Sequence, residues 1–297
     1  MKRFPGLLLA AVSLSSIYGQ PAPNASSPSG TVIDSFSFEY GYSGHEDLDR
    51  AGPAGSVAVH RSAFSAEGRR LLSSTETFAY GIQLELHKLD ADETTFVPGQ
   101  LAEATLRLGF SRKLSPAWTA SLALRPGLYG DFEDIDGKTF NVPLLLGASY
   151  AKSRDLIWLF GARANAYSEH PVLPIVGVRW QFAPDWSVGL AFPRSGVQWR
   201  VSPDLTLDAG AAFQGGTYRI SQNIGSPSGM VGRLANTFVD YREIRVGIGA
   251  EFALTRRLSV RLDAGAFTDR RFDYFDRDYT LDGDGGLYGA VALRTKL

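Results

Sequence analysis

The stretch from Glu76 to His87 reads ETFAYGIQLELH, with Phe78, Tyr80, Ile82, Leu84 and Leu86 at even positions and Ala79, Gly81, Gln83, Glu85 and His87 between them. Side chains of an extended strand point alternately to opposite faces, so a period of two gives one apolar face and one polar face. A helix would scatter both sets around its axis.

The same alternation recurs in both directions from this stretch. Ala102, Ala104, Leu106, Leu108 and Phe110 alternate with Glu103, Thr105, Arg107 and Gly109, and Trp118, Ala120, Leu122 and Leu124 with Thr119, Ser121, Ala123 and Arg125. Trp158 and Phe160 oppose Gly161 and Arg163; Val176, Val178 and Trp180 oppose Gly177 and Arg179; Ile244, Val246 and Ile248 oppose Glu243, Arg245 and Glu251. The pattern predicts strands over 32–42, 54–65, 75–88, 100–112, 118–129, 140–150, 156–167, 172–182, 186–193, 196–201, 205–220, 241–253, 258–267 and 286–297. That is fourteen; the ninth and tenth are short, so twelve stays open.

A tight corner separates several of these strands: LSPAW from Leu114, SRDL from Ser153, FAPDW from Phe182, VSPDL from Val201 and LTRRL from Leu254. Proline in three of them suits the first central position of a type I turn. The other connections, at 43–52, 89–99, 131–139, 222–240 and 268–285, are longer and mostly acidic, with the short SEHP and PRSG turns at Ser168 and Pro193 as exceptions. Short turns on one rim and long loops on the other describe an up-and-down antiparallel sheet.

Composition agrees with an all-β chain: 32 Gly, 18 Phe, 12 Tyr and 5 Trp in 297 residues. Thirty basic against 31 acidic side chains give no excess that would recruit nucleic acid, and the absence of Cys removes disulfides, thiolate metal sites and a Cys-linked lipid anchor. The start, MKRFPGLLLAAVSLSSIYGQPA, pairs two cations with a short apolar stretch, which predicts a secretory signal over 1–19, cleaved after Gly19 or Ala22. A short linker over 20–31 then leads into a barrel over 32–297.

The polar face carries Glu85, Glu103, Arg107, Arg125, Arg163, Arg179, Arg200, Asp208, Glu243, Arg245, Glu251, Arg261, Asp263 and Arg294, charges of both signs on nearly every strand. Such a face can pair with itself inside a closed barrel while the apolar face meets lipid, which is the arrangement of outer-membrane barrels. About ten residues at ~3.3 Å each, tilted by ~40°, rise about 25 Å, the height of an apolar bilayer band. Trp118, Tyr150 and Trp186 would then mark the turn-side interface, where amphipathic rings are favoured. The chain ends on Leu297, where barrels of this kind commonly finish on an aromatic residue.

The segment Pro171 to Ile220 carries a further signal in Leu173-Pro174, Gly177 to Trp180, Pro184-Asp185-Trp186, Phe192-Pro193 and Gly215-Gly216-Thr217-Tyr218-Arg219. In these it resembles a family of outer-membrane β-barrels known as domain of unknown function 6268. The resemblance implies an exported barrel and brings no catalytic or ligand-binding residue with it.

Chemistry is sparse. His45, His60, His87 and His170 are scattered, without metal-ligand spacing, and His87 beside Glu85 is the one in-strand hint of a hydrolytic constellation. GDGGLYG from Gly283 misses the dinucleotide-loop spacing and opens a strand. Acidic runs at Asp131, Glu133, Asp134 and Asp136 and at Asp276 to Asp284 lack the calcium-loop pattern and read as solvated loop charge. No enzyme, cofactor or metal is expected.

Two functions stay open for a protein of the outer membrane of a Gram-negative-type bacterium. One is a passive, porin-like channel for small hydrophilic solutes, its lumen lined by Glu85, Glu103, Arg107, Arg125, Arg163, Arg179, Glu243, Arg245, Glu251, Arg261 and Asp263. The other is a structural or recognition barrel filled by those pairs, with the loops as its working surface. The expected partners are outer-membrane lipid and, in the first case, solutes in the lumen.

Overall fold

The computed structural model describes residues 33–49, 53–92, 94–227 and 234–297; the predicted signal and linker, and part of the 222–240 connection, lie outside the described residues. Its strand segments are β1 (Ser35–Asp49), β2 (Pro53–Leu71), β3 (Glu76–Ala91), β4 (Gln100–Lys113), β5 (Trp118–Leu124), β6 (Gly127–Gly130), β7 (Phe140–Asn141), β8 (Leu144–Ala151) and β9 (Leu156–Ala164). They continue as β10 (Val172–Ala183), β11 (Trp186–Leu190), β12 (Arg194–Arg200), β13 (Leu205–Ile220), β14 (Thr237–Ala253), β15 (Leu258–Tyr274), β16 (Tyr279–Gly283) and β17 (Gly286–Lys296).

β5 with β6, β7 with β8, and β16 with β17 are single staves interrupted at Arg125-Pro126, Val142-Pro143 and Asp284-Gly285, so the barrel has fourteen antiparallel staves. Each stave pairs with its neighbour in sequence, and β1 closes on β17 from Ser35↔Lys296 to Ser43↔Tyr288. Closure removes the unpaired edge that hydrocarbon would not tolerate.

The repeated corner owes its shape to a hydroxyl as much as to proline. Ser115 Oγ accepts from the N–H groups of Ala117 and Trp118 at 3.2 and 3.0 Å, and Ser153, Ser202 and Thr255 serve their own turns in the same way. Each of these turns is closed by the same pair of residues, as in Leu114 N to Trp118 O at 2.9 Å and Leu254 N to Leu258 O at 2.9 Å. Side-chain acceptors of this kind satisfy turn N–H groups that a two-residue gap would leave open. That is why SRDL and LTRRL, which lack proline, fold like SPAW.

The apolar face points outwards. Leu84, Leu106, Leu122, Val176 and Ile248 are 49, 51, 36, 67 and 66 % exposed. All five tryptophans, Trp118, Trp158, Trp180, Trp186 and Trp199, are exposed on this face, with Trp186 stacked on Trp199 at 5.2 Å and Trp118 set against Tyr150 at 5.0 Å. The rings form a girdle near the short-turn rim of β5 to β12, as interfacial anchoring requires.

Above this belt the barrel changes character. β1, β14 and β15 run well past the predicted ends at 42, 241 and 267, so that much of the expected 43–52 and 268–285 loops is strand, while β2 runs past 65 at the opposite, short-turn rim. The reason is an inversion of phase: Val57, Val59, Leu89, Leu101, Tyr241, Phe272 and Tyr274 turn inwards and are buried, while Lys88, Asp90 and Arg271 take the outer face. Strands standing in water bury their apolar side, whereas strands in lipid expose it. Read in one frame, the flip looks like the end of the strand.

β7 to β12 end below this level. β13 bends at Gly215 (φ +122°), where a Cβ would lie 2.0 Å from Tyr241 O, and crosses to β6 in a parallel bridge at Arg219↔Gly130. Asp131 clamps the crossing, its carboxylate accepting from Ser221 N (2.8 Å), Ser221 Oγ (2.7 Å) and Gln222 N (3.0 Å). The result is two storeys: fourteen staves below, and above them a ring of nine (β13, β14, β15, β16, β1, β2, β3, β4, β6) around a dry core.

Candidate functional site: the barrel interior

Cross-strand register assigns the interior face. On it, the carboxylates and guanidiniums of β1 to β6 form a ladder. Arg61 joins Glu39 and Glu85, Gln83 Nε2 bridges Glu85 (3.0 Å) and Glu103 (2.9 Å), and Arg125 caps Glu103. Arg107 pairs with Glu67.

A second knot sits where the storeys meet. Glu243 accepts from Ser43 Oγ (2.9 Å), Tyr241 OH (3.1 Å), Arg245 Nε and Arg270 Nη2 (2.8 Å), and the side chains of Glu243 and Arg270 are both fully buried. Arg270 also donates to Val57 O at 2.8 Å, three staves along the wall. Ser43 and Val57 belong to β1 and β2, so the knot ties together five consecutive staves of one wall, from β14 to β2.

Lower down, Arg261 holds Asp208 through two bonds of 2.6 and 2.9 Å and also binds Asp263; Glu251 is held by Ser259 Oγ at 3.1 Å and approached by Arg294 at 4.0 Å. Of the eleven residues predicted to line the lumen, the structure packs Glu85, Glu103, Arg107, Arg125, Glu243, Arg245, Glu251, Arg261 and Asp263 into these clusters. Arg163 and Arg179 stand apart: among the described residues neither makes an ion pair or side-chain hydrogen bond, and Arg163 is 4 % exposed with its Nε unpartnered.

The hydrolytic hint does not assemble. His87 lies with Nε2 2.9 Å from Glu85, but its ring is boxed by Tyr218 and Tyr241 at 6.2 and 5.3 Å, and no serine hydroxyl bonds it among the described residues. Nor, among those residues, does any group of three or more His, Asp or Glu side chains converge as a metal site would require.

One feature of the interior escapes sequence reading because it exists only across strands. Gly189, Gly196, Gly210, Gly247 and Gly265 are direct register partners on β11 to β15, forming a side-chain-free stripe on the inner wall. At its β15 end Tyr288 fills the stripe, its ring atoms within 2.9 Å of where a Gly265 Cβ would sit. At its β11 end Gly189 has nothing within 4 Å of a Cβ. On the short-turn half of β10 and on β11 and β12 the interior face (Arg179, Gln181, Ser187, Gly189, Arg194, Gly196, Gln198, Arg200) contains no buried residue, whereas the other half of β10 turns Leu173, Ile175 and Gly177 inwards and buries them, with Ile175 in an apolar cluster with Ala123 and Leu145 that Phe192 packs against. Arg194, inside the PRSG turn of the sequence, was not among the predicted lining residues.

Comparison with known proteins agrees with this architecture. An outer membrane channel from Pseudomonas putida F1 superposes with a TM-score of 0.50 at 11 % identity, covering 94 % of this chain and all of that one. A Pseudomonas aeruginosa FadL homologue gives 0.45 at 12 % identity, covering 89 % of each chain, and the NanC porin 0.42 at 10 %, covering 88 % of this chain and all of that one. No curated protein matches the sequence. The family model described as Domain of unknown function (DUF6268) matches residues 72–280, and the chain belongs to that family, as an outer-membrane β-barrel of fourteen staves.

Proposed function

We propose that the protein is a passive, porin-like channel for small hydrophilic solutes, and that the route runs eccentrically along the β10–β12 wall instead of down the barrel axis. The observation that carries this reading is the contrast between walls. From Arg179 of β10 across β11 and β12 the interior residues are polar or glycine and all partly or fully exposed, whereas the opposite interior is knotted by ion pairs and capped by the dry core. A hydrophilic solute needs a wetted surface, and this wall supplies one from Arg200 to Arg194, bounded by the apolar cluster of Ala123, Leu145 and Ile175. The neighbouring structures described as channels and porins support a transport role.

The alternative of a filled, structural barrel draws on one specific observation, the complete burial of Arg270 and Glu243 at the storey boundary. Planar-bilayer recording of the purified protein separates the two. Discrete conductance steps are expected for the channel, and a silent bilayer after verified insertion would leave the filled barrel.

A further inference from the structure

Nearly every other arginine of the barrel interior has a carboxylate: Arg61, Arg107, Arg125, Arg245, Arg261 and Arg270 are all paired. The wall from β9 to β12 breaks this rule. Arg163, Arg179, Arg194 and Arg200 share the interior face through the registers Arg163↔Leu173, Arg179↔Gly189, Gly189↔Gly196 and Arg194↔Ala212, and none has an ion pair or side-chain hydrogen bond among the described residues. No acidic residue occupies the interior face of β10, β11 or β12. The nearest interior carboxylate along the sheet, Asp208, is held at both oxygens by Arg261. Arg163, at the β9 edge, is buried to 4 % exposure with no partner for Nε, although Asp240 answers part of its charge without a hydrogen bond to it.

A guanidinium remains charged throughout the accessible pH range and presents its donors in a planar fork matched to carboxylate and phosphate. Placing Arg179, Arg194 and Arg200 on one wall with no ion pair leaves a positive field for a mobile anion to answer. Arg194 and Arg200 are six residues apart on β12, so about 20 Å of wall lies between them, with Arg179 in register between the two. We propose that this wall is an anion-binding strip that selects solutes carrying carboxylate or phosphate groups and passes them from one arginine to the next over the glycine stripe. The inference rests on the channel reading for passage, but not for binding.

The test uses the full-length barrel in planar bilayers under a KCl gradient, with citrate as the added probe. The wild type should favour chloride over potassium by about threefold or more. The triple variant Arg179→Gln, Arg194→Gln, Arg200→Gln should bring the ratio to about one, and Arg179→Gln alone should move it part of the way. Because none of the three is paired, their removal orphans no carboxylate. A control with equal charge removed from the exposed turns, Arg154→Gln, Arg256→Gln, Arg257→Gln, should keep the wild-type ratio. Millimolar citrate should reduce the chloride current of the wild type and leave that of the triple variant unchanged. A cation-selective wild type, or a triple variant with unaltered selectivity, overturns the strip while the channel stands. If no current is seen, calorimetry with citrate in detergent decides. Binding lost in the triple variant removes the channel and keeps the strip; no binding removes both.

Discussion

Replacing Glu243 by Gln removes one negative charge from a fully buried site without changing its shape. The carboxylate is the shared acceptor of Arg245 and Arg270 and also takes hydrogen bonds from Ser43 and Tyr241. An amide offers one acceptor oxygen and turns two donors towards guanidiniums that have nothing to accept them. Two cations, 4 and 0 % exposed, would then face one another without an anion. Breaking a buried pair from one side costs about 3–5 kcal/mol, and the shared role of Glu243 places this case at the upper end. The expected readout is a loss of that size in urea unfolding of the refolded barrel in detergent, or a clear fall in the temperature at which its gel mobility shifts when unfolding is irreversible. Adding Arg270→Gln should recover part of the loss, giving a coupling of about 2 kcal/mol between the two positions. A single-variant cost below about 1 kcal/mol would refute the reasoning, since only a hydrated carboxylate could be neutralised so cheaply, and the upper storey would then be wet.

Three further outcomes follow from the geometry. Gly189→Trp should assemble normally, because a Cβ there meets nothing within 4 Å, yet cut conductance at least about fivefold by filling the proposed route; full conductance in a folded Gly189→Trp barrel would exclude that route. Arg219 hydrogen-bonds Asp136 at 3.0 Å and, with the backbone N–H of Lys138, holds its carboxyl below the ordinary range. A depressed folded value means the contact is complete above the usual carboxylate pKa of about 3.9 and is lost only as pH falls through the lower folded value. A spin label at Lys138→Cys, unique in a chain without Cys, should therefore keep constant mobility from pH 7 to 5 and loosen below about pH 4; loosening already at pH 6 would contradict it. Tryptophan fluorescence should be quenched by brominated lipid and resist aqueous iodide, because all five rings sit on the exposed apolar girdle.

The lower storey is written in the sequence in plain form, and the upper one is not. In β3 a single frame carries Phe78 to Leu86 outwards and Glu85 and His87 inwards, and then the two faces exchange character, with Lys88 and Asp90 outside and Leu89 buried. Nothing local marks that change, because it records the height at which lipid gives way to water and not a property of the chain at that point. The ladder of charges was legible as a set of residues, since mixed signs on one face imply pairing. Which ones remain unpaired was not legible, because that depends on the register between neighbouring and next-neighbouring strands. The crossing of β13 onto β6 left only faint traces, Gly215 and Gly130, and the glycine stripe none at all until register lined up five separate residues.

The filled and the open readings of the interior belong to different parts of one molecule. An ion taken through the upper storey would pass Tyr218, Tyr241, Phe272 and Leu281, all buried and apolar, and would lose its hydration for no compensating partner, at several kcal/mol per charge. A solute following β11, β12 and the short-turn half of β10 meets backbone at Gly189 and Gly196 and guanidinium at Arg179, Arg194 and Arg200, and can stay wet over that stretch. The short height of β11 and β12, five and seven residues, gives the proposed route its exit where β13 has left the wall to close the upper ring. The dry core then has a role that a conducting barrel needs: by holding nine staves rigid above the membrane, it confines the solute to the one wall whose charge is unanswered. On this view Glu243→Gln and Gly189→Trp should dissociate cleanly, the first altering stability and sparing selectivity, the second sparing stability and abolishing passage.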